Sequence, residues 1–227
     1  MRNCHLRQLG RVGYSRALEL QQQAVADRKQ GLTPDQLFLL EHSHVITLGR
    51  NGHMENLLAS NEILSRAGIE FHPTDRGGDV TYHGPGQLVG YPILDLREWK
   101  QDVRAYVHAI EQAIIDTLAD YGIVAGRIPK LIGVWVDGRK IAAIGVHLSR
   151  WVTSHGFALN VSTDLSYFQY IVPCGLTKPV TSMAALGVRA GLDEVSARFA
   201  DHFGRIFDCA MVNESPALVP VESEIPI

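Results

Sequence analysis

The stretch Arg76-Gly77-Gly78-Asp79-Val80-Thr81-Tyr82-His83-Gly84-Pro85-Gly86-Gln87 constrains this chain more than any other. It concentrates four glycines and a proline beside an arginine, a histidine and an aromatic, and an apolar strand-like run over 88–96 follows at once. Glycine permits positive φ and close backbone approach, at a cost in conformational entropy. Glycines interleaved with Arg, Thr, Tyr and His therefore predict a binding surface built largely from backbone. An ordinary hairpin loop is the alternative, since Gly/Pro clusters are common turn punctuation.

No Pro/Ser/Gly-rich linker or charge block divides the 227 residues, so we read one domain over 1–212. Residues 213–227 lack periodicity and read as a loosely held tail. The net charge of −3 gives no global case for nucleic-acid binding. The three cysteines, Cys4, Cys174 and Cys209, are odd in number and irregularly spaced, which points to a reducing compartment rather than a disulfide framework. The first residues lack the apolar core of a secretion signal, and no window approaches the roughly 20 apolar residues of a membrane helix. The expectation is a cytoplasmic protein acting as a monomer, without membrane attachment.

Along the chain, residues 4–9 predict a strand and residues 15–30 a helix stopped by Gly31. Apolar runs at 37–40 and 45–48 read as strands, with His42 and His44 between them. A short helix over 61–67 ends at Gly68, and a strand over 69–74 delivers the glycine motif. Residues 87–96 read as a buried strand in which Pro92 marks an edge or a bulge. Asp102 caps a helix whose Val103, Tyr106, Val107, Ile110, Ile114 and Leu118 share one face, and Gly122 ends it. Asp137-Gly138 predicts a type I′ turn between strands at 131–136 and 139–148. A strand over 157–161 and a last helix capped by Asp193 follow, with Cys209 on that helix. Strands outnumber helices in a mixed order. The fold class is α/β (α+β), a mixed, mostly antiparallel sheet flanked by helices.

Cys4 and Cys209 read as small buried hydrophobes. Cys174 differs, because it stands between Pro173 and Gly175 in a turn-like segment. A thiol there becomes a nucleophile only beside a positive or basic neighbour. Of five lysines, only Lys140 begins a strongly apolar strand (140–146), where desolvation would lower its pKa and make it a proton acceptor. An exposed lysine at a hairpin mouth is the alternative, and spacing alone does not bring positions 140 and 174 together. The ten histidines include no Cys-x₂-Cys or His-Glu-x-x-His partner spacing, so no metal site is expected. Small residues at 142–145 and 156–158 leave room for a ligand, or for close helix packing.

The motif at 76–91 resembles the signature of the lipoyl(octanoyl) transferases. So do Thr47-Leu48-Gly49-Arg50, Lys140-Ile141-Ala142-Ala143-Ile144-Gly145-Val146, His155-Gly156-Phe157-Ala158-Leu159-Asn160-Val161 and Val172-Pro173-Cys174-Gly175 with Val180-Thr181-Ser182. The resemblance runs in order over about 5–210. It departs before Thr47, where Ser43-His44-Val45-Ile46 stands in place of the family's usual proline and aromatic, and it leaves His42 and His44 without a role.

The resemblance implies a biotin/lipoate protein ligase-like catalytic domain. It implies octanoyl (or lipoyl) transfer from acyl carrier protein to a lysine of lipoyl domains, in 2-oxoacid dehydrogenases and glycine cleavage H protein, without cofactor. Cys174 would correspond to the acyl-thioester nucleophile and Lys140 to the lysine that lowers its pKa. Arg76, Gly77, Gly78, Asp79, Val80, Thr81, Tyr82 and His83, with Ala143, Ile144, Gly145, Gly156, Phe157 and Ala158, would contact substrate. Backbone N–H groups near Gly175 or in the motif are candidate oxyanion donors. Two alternatives stay open: an ATP-dependent lipoate or biotin ligase of the same fold, which would not need Cys174, and a non-enzymatic acyl-protein binding module.

Overall fold

Local sequence sets several elements directly. Asp137 (φ 49°) and Gly138 (φ 75°) both take positive φ, as a type I′ turn requires, and join β8 (Leu131–Val136) to β9 (Arg139–Ser149). The Asp102 carboxylate accepts from the Ala105 amide at 2.9 Å and caps α3 (Val103–Ala119). Gly122, at φ 72°, turns the chain out of that helix, and the Ile123 amide closes back on the Leu118 carbonyl.

The computed structural model describes residues 2–172 and 178–214. Besides α3, β8 and β9, its elements are β1 (Arg2–Arg11), α1 (Tyr14–Lys29), β2 (Asp35–Glu41), β3 (Val45–Leu48), α2 (Asn61–Arg66), β4 (Glu70–Pro73), β5 (Val80–His83), β6 (Gln87–Ile93), β7 (Gly126–Ile128), β10 (Val152–Asn160), α4 (Leu192–Ile206) and β11 (Cys209–Asn213). Eight strands form one sheet in the order β11-β1-β2-β6-β10-β9-β8-β7, and β4-β3-β5 form a second. In the large sheet only β11-β1 and β1-β2 pair in parallel; the remaining neighbours are antiparallel.

Alternation along each strand divides the large sheet's faces. Leu37 and Leu39 of β2 join Tyr106, Ile110 and Ile114 of α3 and Phe199 and Phe203 of α4 in the main core. Phe38 and Leu40 join Val89, Tyr91 and Ile93 of β6, covered by Ala17 and Ala24 of α1. The small sheet has its own core, where Ile46, Val80 and Tyr82 meet Leu64 of α2.

Several expectations change. Cys209 opens a strand rather than continuing a helix, because β1 offers a parallel partner in which Arg2 faces Cys209. Asp193 lies inside the first turn of α4, whose N-cap is Gly191; its carboxylate still sits where a helix dipole favours negative charge. Residues 80–83 of the motif form a strand of their own, and the strand expected from 157 begins at Val152. Asn213 belongs to β11, and the Glu214 amide donates to the Leu6 carbonyl, so the chain is held that far. Residues 215–227 lie outside the described residues. Pro92 sits within a central strand, yet at a break in pairing: β10 pairs with β6 only as far as Phe157↔Gly90. The Pro92 Cδ, standing where an amide proton would be, lies against Gly156, and the Thr153 hydroxyl donates to its carbonyl at 2.7 Å.

Candidate functional site

The glycine motif docks onto β9 through its backbone. The Gly77 amide donates to the Val146 carbonyl at 2.9 Å, and a Cβ on Gly145 would stand 2.7 Å from the Gly77 carbonyl oxygen. The approach is closer than any side-chain-bearing residue allows. Gly156 is as constrained, since a Cβ there would collide with the Gly90 carbonyl and the Pro92 ring. Between the motif, β5, β6, β9 and β10 lies a narrow cavity of about 40 Å³. Its walls include Arg76, Gly78, Thr81 and His83 from the motif, 143–145 from β9 and 156–158 from β10. Tyr14, Tyr91 and His155 also line it, and the sequence had given them no site role.

Strand alternation explains which motif residues face the cavity. Thr81 and His83 point into it, whereas Val80 and Tyr82 pack in the small sheet's core. Asp79 looks elsewhere: its carboxylate accepts from the Asn56 side chain at 2.5 Å and from the His53 amide at 3.1 Å. The Arg76 guanidinium is buried, donating to the Thr47 carbonyl at 2.8 Å, the Thr47 hydroxyl at 2.9 Å and the Gly77 carbonyl at 3.1 Å. It ties the motif to β3 as well as lining the cavity.

Two buried histidines are held neutral. Burial, with the nearby His42 ring, pushes His83 down to about 3, and its Nδ1 lies 2.8 Å from the Gln87 side-chain oxygen. Burial pushes His42 down to about 4, against the pull of the Val12 carbonyl that its Nδ1 meets at 2.7 Å. The Tyr91 hydroxyl lies 2.8 Å from the other nitrogen of His42. His42 thus buttresses a cavity-lining tyrosine, while His44 stacks on Tyr167, its Nδ1 2.7 Å from the Tyr82 hydroxyl. His155 takes φ 55° in mid-strand. Its amide donates to Gln21 and its Nε2 lies 2.7 Å from the Asp75 carboxylate. The signal that could have found it is its place directly before Gly156.

Lys140 is 8% exposed, so it is buried rather than free at a hairpin mouth. Its ammonium stands 4.9 Å from the centre of the Trp135 ring, a cation–π distance. Segment 178–183 runs alongside it: the Lys140 amide donates to the Pro179 carbonyl and its carbonyl accepts from the Thr181 amide, each at 2.9 Å. Upstream, the Val172 amide donates to the Asn56 carbonyl at 2.8 Å. One flank of residues 173–177 therefore hangs from the residue that Asp79 holds, and the other from Lys140. Cys174 itself, with Gly175, lies outside the described residues. Cys4 and Cys209 are buried and unbridged; the hydrogen bond with the Cys209 thiol, and then burial, raise Cys4 far above the ordinary thiol range.

The site thus joins a buried lysine, a glycine loop bonded to a strand and a narrow cavity between the two sheets. The chain matches the lipoyl protein ligase A/B catalytic domain over residues 13–204, and it belongs to that family. The octanoyltransferase of Solibacter usitatus is 80% identical over 212 residues, covering 93% of this chain and 96% of the relative. That of Koribacter versatilis is 55% identical over 206 residues, covering 88% and 82%. In fold, the chain is similar to a bi-partite lipoate protein ligase from Thermoplasma acidophilum, with a TM-score of 0.76 at 17% identity over 95% of this chain and 88% of that one. No described helix is long and apolar enough to cross a membrane.

Proposed function

We propose that this chain transfers an octanoyl or lipoyl group from acyl carrier protein to a lysine of lipoyl domains, through a thioester on Cys174. The observation that carries the reading is 80% identity to an octanoyltransferase over nearly the whole of both chains. Lys140, buried beside the described flank of residues 173–177, supports the dyad. In the first step the Cys174 thiolate attacks the donor thioester and expels the carrier's thiolate. In the second, the acceptor lysine's amine attacks the acyl-cysteine, an amide forms and the Cys174 thiolate leaves. Lys140 takes the Cys174 proton, passes it to the departing carrier thiolate and, neutral again, accepts the acceptor amine's proton. The donor is already activated, so no ATP is consumed, which separates this reading from a ligase. Ala143, Ile144 and Ala158, which line the cavity, offer the alkyl chain apolar contact, and each buried CH₂ contributes roughly 0.8 kcal/mol. The odd, irregularly spaced cysteines support a reducing compartment, the cytoplasm, for the reaction.

Intact mass after incubation with octanoyl-acyl carrier protein tests the proposal. Wild type should gain one octanoyl group, and Cys174→Ala none. An adduct of unchanged yield in Cys174→Ala, or octanoylation that requires ATP and free octanoate, would overturn it.

A further inference from the structure

The cavity's histidine ends a chain of buried side-chain amides whose orientation is fixed from the far end. The Asn160 amide nitrogen donates to the Thr181 carbonyl at 2.9 Å, so its oxygen must face Gln87. The Gln87 amide nitrogen donates to that oxygen at 3.0 Å and to the Tyr82 carbonyl at 3.2 Å. Both partners are acceptors, so the Gln87 oxygen is left to face His83 Nδ1 at 2.8 Å. An oxygen without a proton can only accept, so Nδ1 must carry the hydrogen. Gln87 and Asn160 are 1% and 4% exposed, which leaves water little part in these bonds. They also face each other across β6 and β10, so backbone register holds the relay together. Thr181, at its far end, donates its amide to the Lys140 carbonyl at 2.9 Å.

We infer that Gln87 and Asn160 are positioning residues that lock His83 as the Nδ1–H tautomer, presenting a bare Nε2 to the cavity to accept a hydrogen bond from the incoming lysine amine. That nitrogen makes no hydrogen bond among the described residues, and His83 lines the cavity. A neutral His83 in this tautomer cannot donate at Nε2, so it is not an oxyanion donor. The cavity group it orients must bring its own N–H or O–H, and in the two-step transfer the acceptor lysine does so. The inference rests on that transfer. It gives His83 and Lys140 a common frame, since one chain of hydrogen bonds runs from the ring of the first to the backbone of the second.

Long-range ¹⁵N–¹H spectra of the ¹⁵N-labelled protein, assigned with His83→Gln, read the tautomer directly. The expected result is a protonated Nδ1 and an unprotonated Nε2 in His83; a proton on Nε2 overturns the inference. In Gln87→Leu the fixed tautomer should be lost. Transfer from the acyl-enzyme to a lipoyl domain should slow about tenfold, as for one lost hydrogen bond to the amine, while acyl-enzyme formation holds within about twofold. Equal slowing of both half-reactions overturns the assigned role. If Gln87→Leu does not fold, the wild-type spectrum still decides the tautomer, and His83→Gln, read in the same two half-reactions, decides the role. An undiminished adduct in Cys174→Ala would instead remove the covalent pathway and leave the tautomer to the spectrum.

Discussion

The two faces of the large sheet solve different problems with the same strands. Toward α3 and α4, β2, β6 and β10 present Leu37, Leu39, Leu88, Phe157 and Leu159, an apolar face on which the Phe199 ring stands 4.4 Å from Phe157 and 5.9 Å from Phe203. Toward the motif, β6, β9 and β10 present Tyr91, Gly145, His155 and Gly156, with Gln87 and Asn160 buried and hydrogen-bonded at one end. The first face tolerates any well-packed apolar set of similar volume. The second needs particular atoms, because a buried polar group without its partner is costly and a Cβ at Gly145 or Gly156 has no room. Stability should therefore reside mainly on one face and chemistry on the other.

The largest expected effect breaks the apolar face alone. Phe203→Ala should cost about 3–5 kcal/mol in urea unfolding and leave the pH dependence of stability unchanged. That pH dependence belongs to the other face. His42 and His83 titrate in the native state at about 4 and about 3, below their ordinary value of 6.5. Between those values the unfolded chain binds protons that the native chain excludes, so stability is lost as pH falls from about 6.5 toward 4. The loss should be on the order of 3 kcal/mol for each histidine, about 6 kcal/mol for the two. Unfolding measured at stepped pH should show it, and His83→Gln should flatten the slope; an unflattened slope would move the titration elsewhere.

Gly145→Ala should cost less stability, about 1–3 kcal/mol, yet displace the motif from β9. A shift near 1 Å can cost up to about a hundredfold in rate, so acyl-enzyme formation should fall far more than thermal stability does. Comparable losses in both would blur the division between the faces. The smallest effect lies off both faces: Asp102→Ala should cost about 1 kcal/mol through its lost cap, seen as a small shift in thermal midpoint with unchanged transfer rate.

What could be read from sequence follows from how far each signal reaches. The Asp137-Gly138 turn, the Asp102 cap and the Gly122 stop are encoded within a few residues, and each took its expected conformation. Cys209 was misread because its strand identity depends on β1, some two hundred positions earlier, and Phe203, Ile206 and Phe207 still carried helical periodicity. No strand was singled out at 80–83 because glycines crowd both sides of its four residues. The motif was visible as a string, but its division of labour was not. Only strand alternation sends Thr81 and His83 to the cavity and Val80 and Tyr82 to a core. The relay from Thr181 to His83 needs the β6–β10 register, which places positions 87 and 160 opposite each other, and no local pattern announces that.

The pairing of β11 with β1 bears on how the chain can be shortened. Residues 2–6 have a partner on that side only because 209–213 lie against them. A chain cut before Cys209 would keep its cavity and both helices of the main core, but would leave a row of unmatched N–H and C=O groups along the sheet's rim. Such a rim is a template for another molecule's strand. β11 is itself the sheet's rim, so removing its five residues moves the rim to β1 and makes it one continuous ten-residue strand open to another molecule.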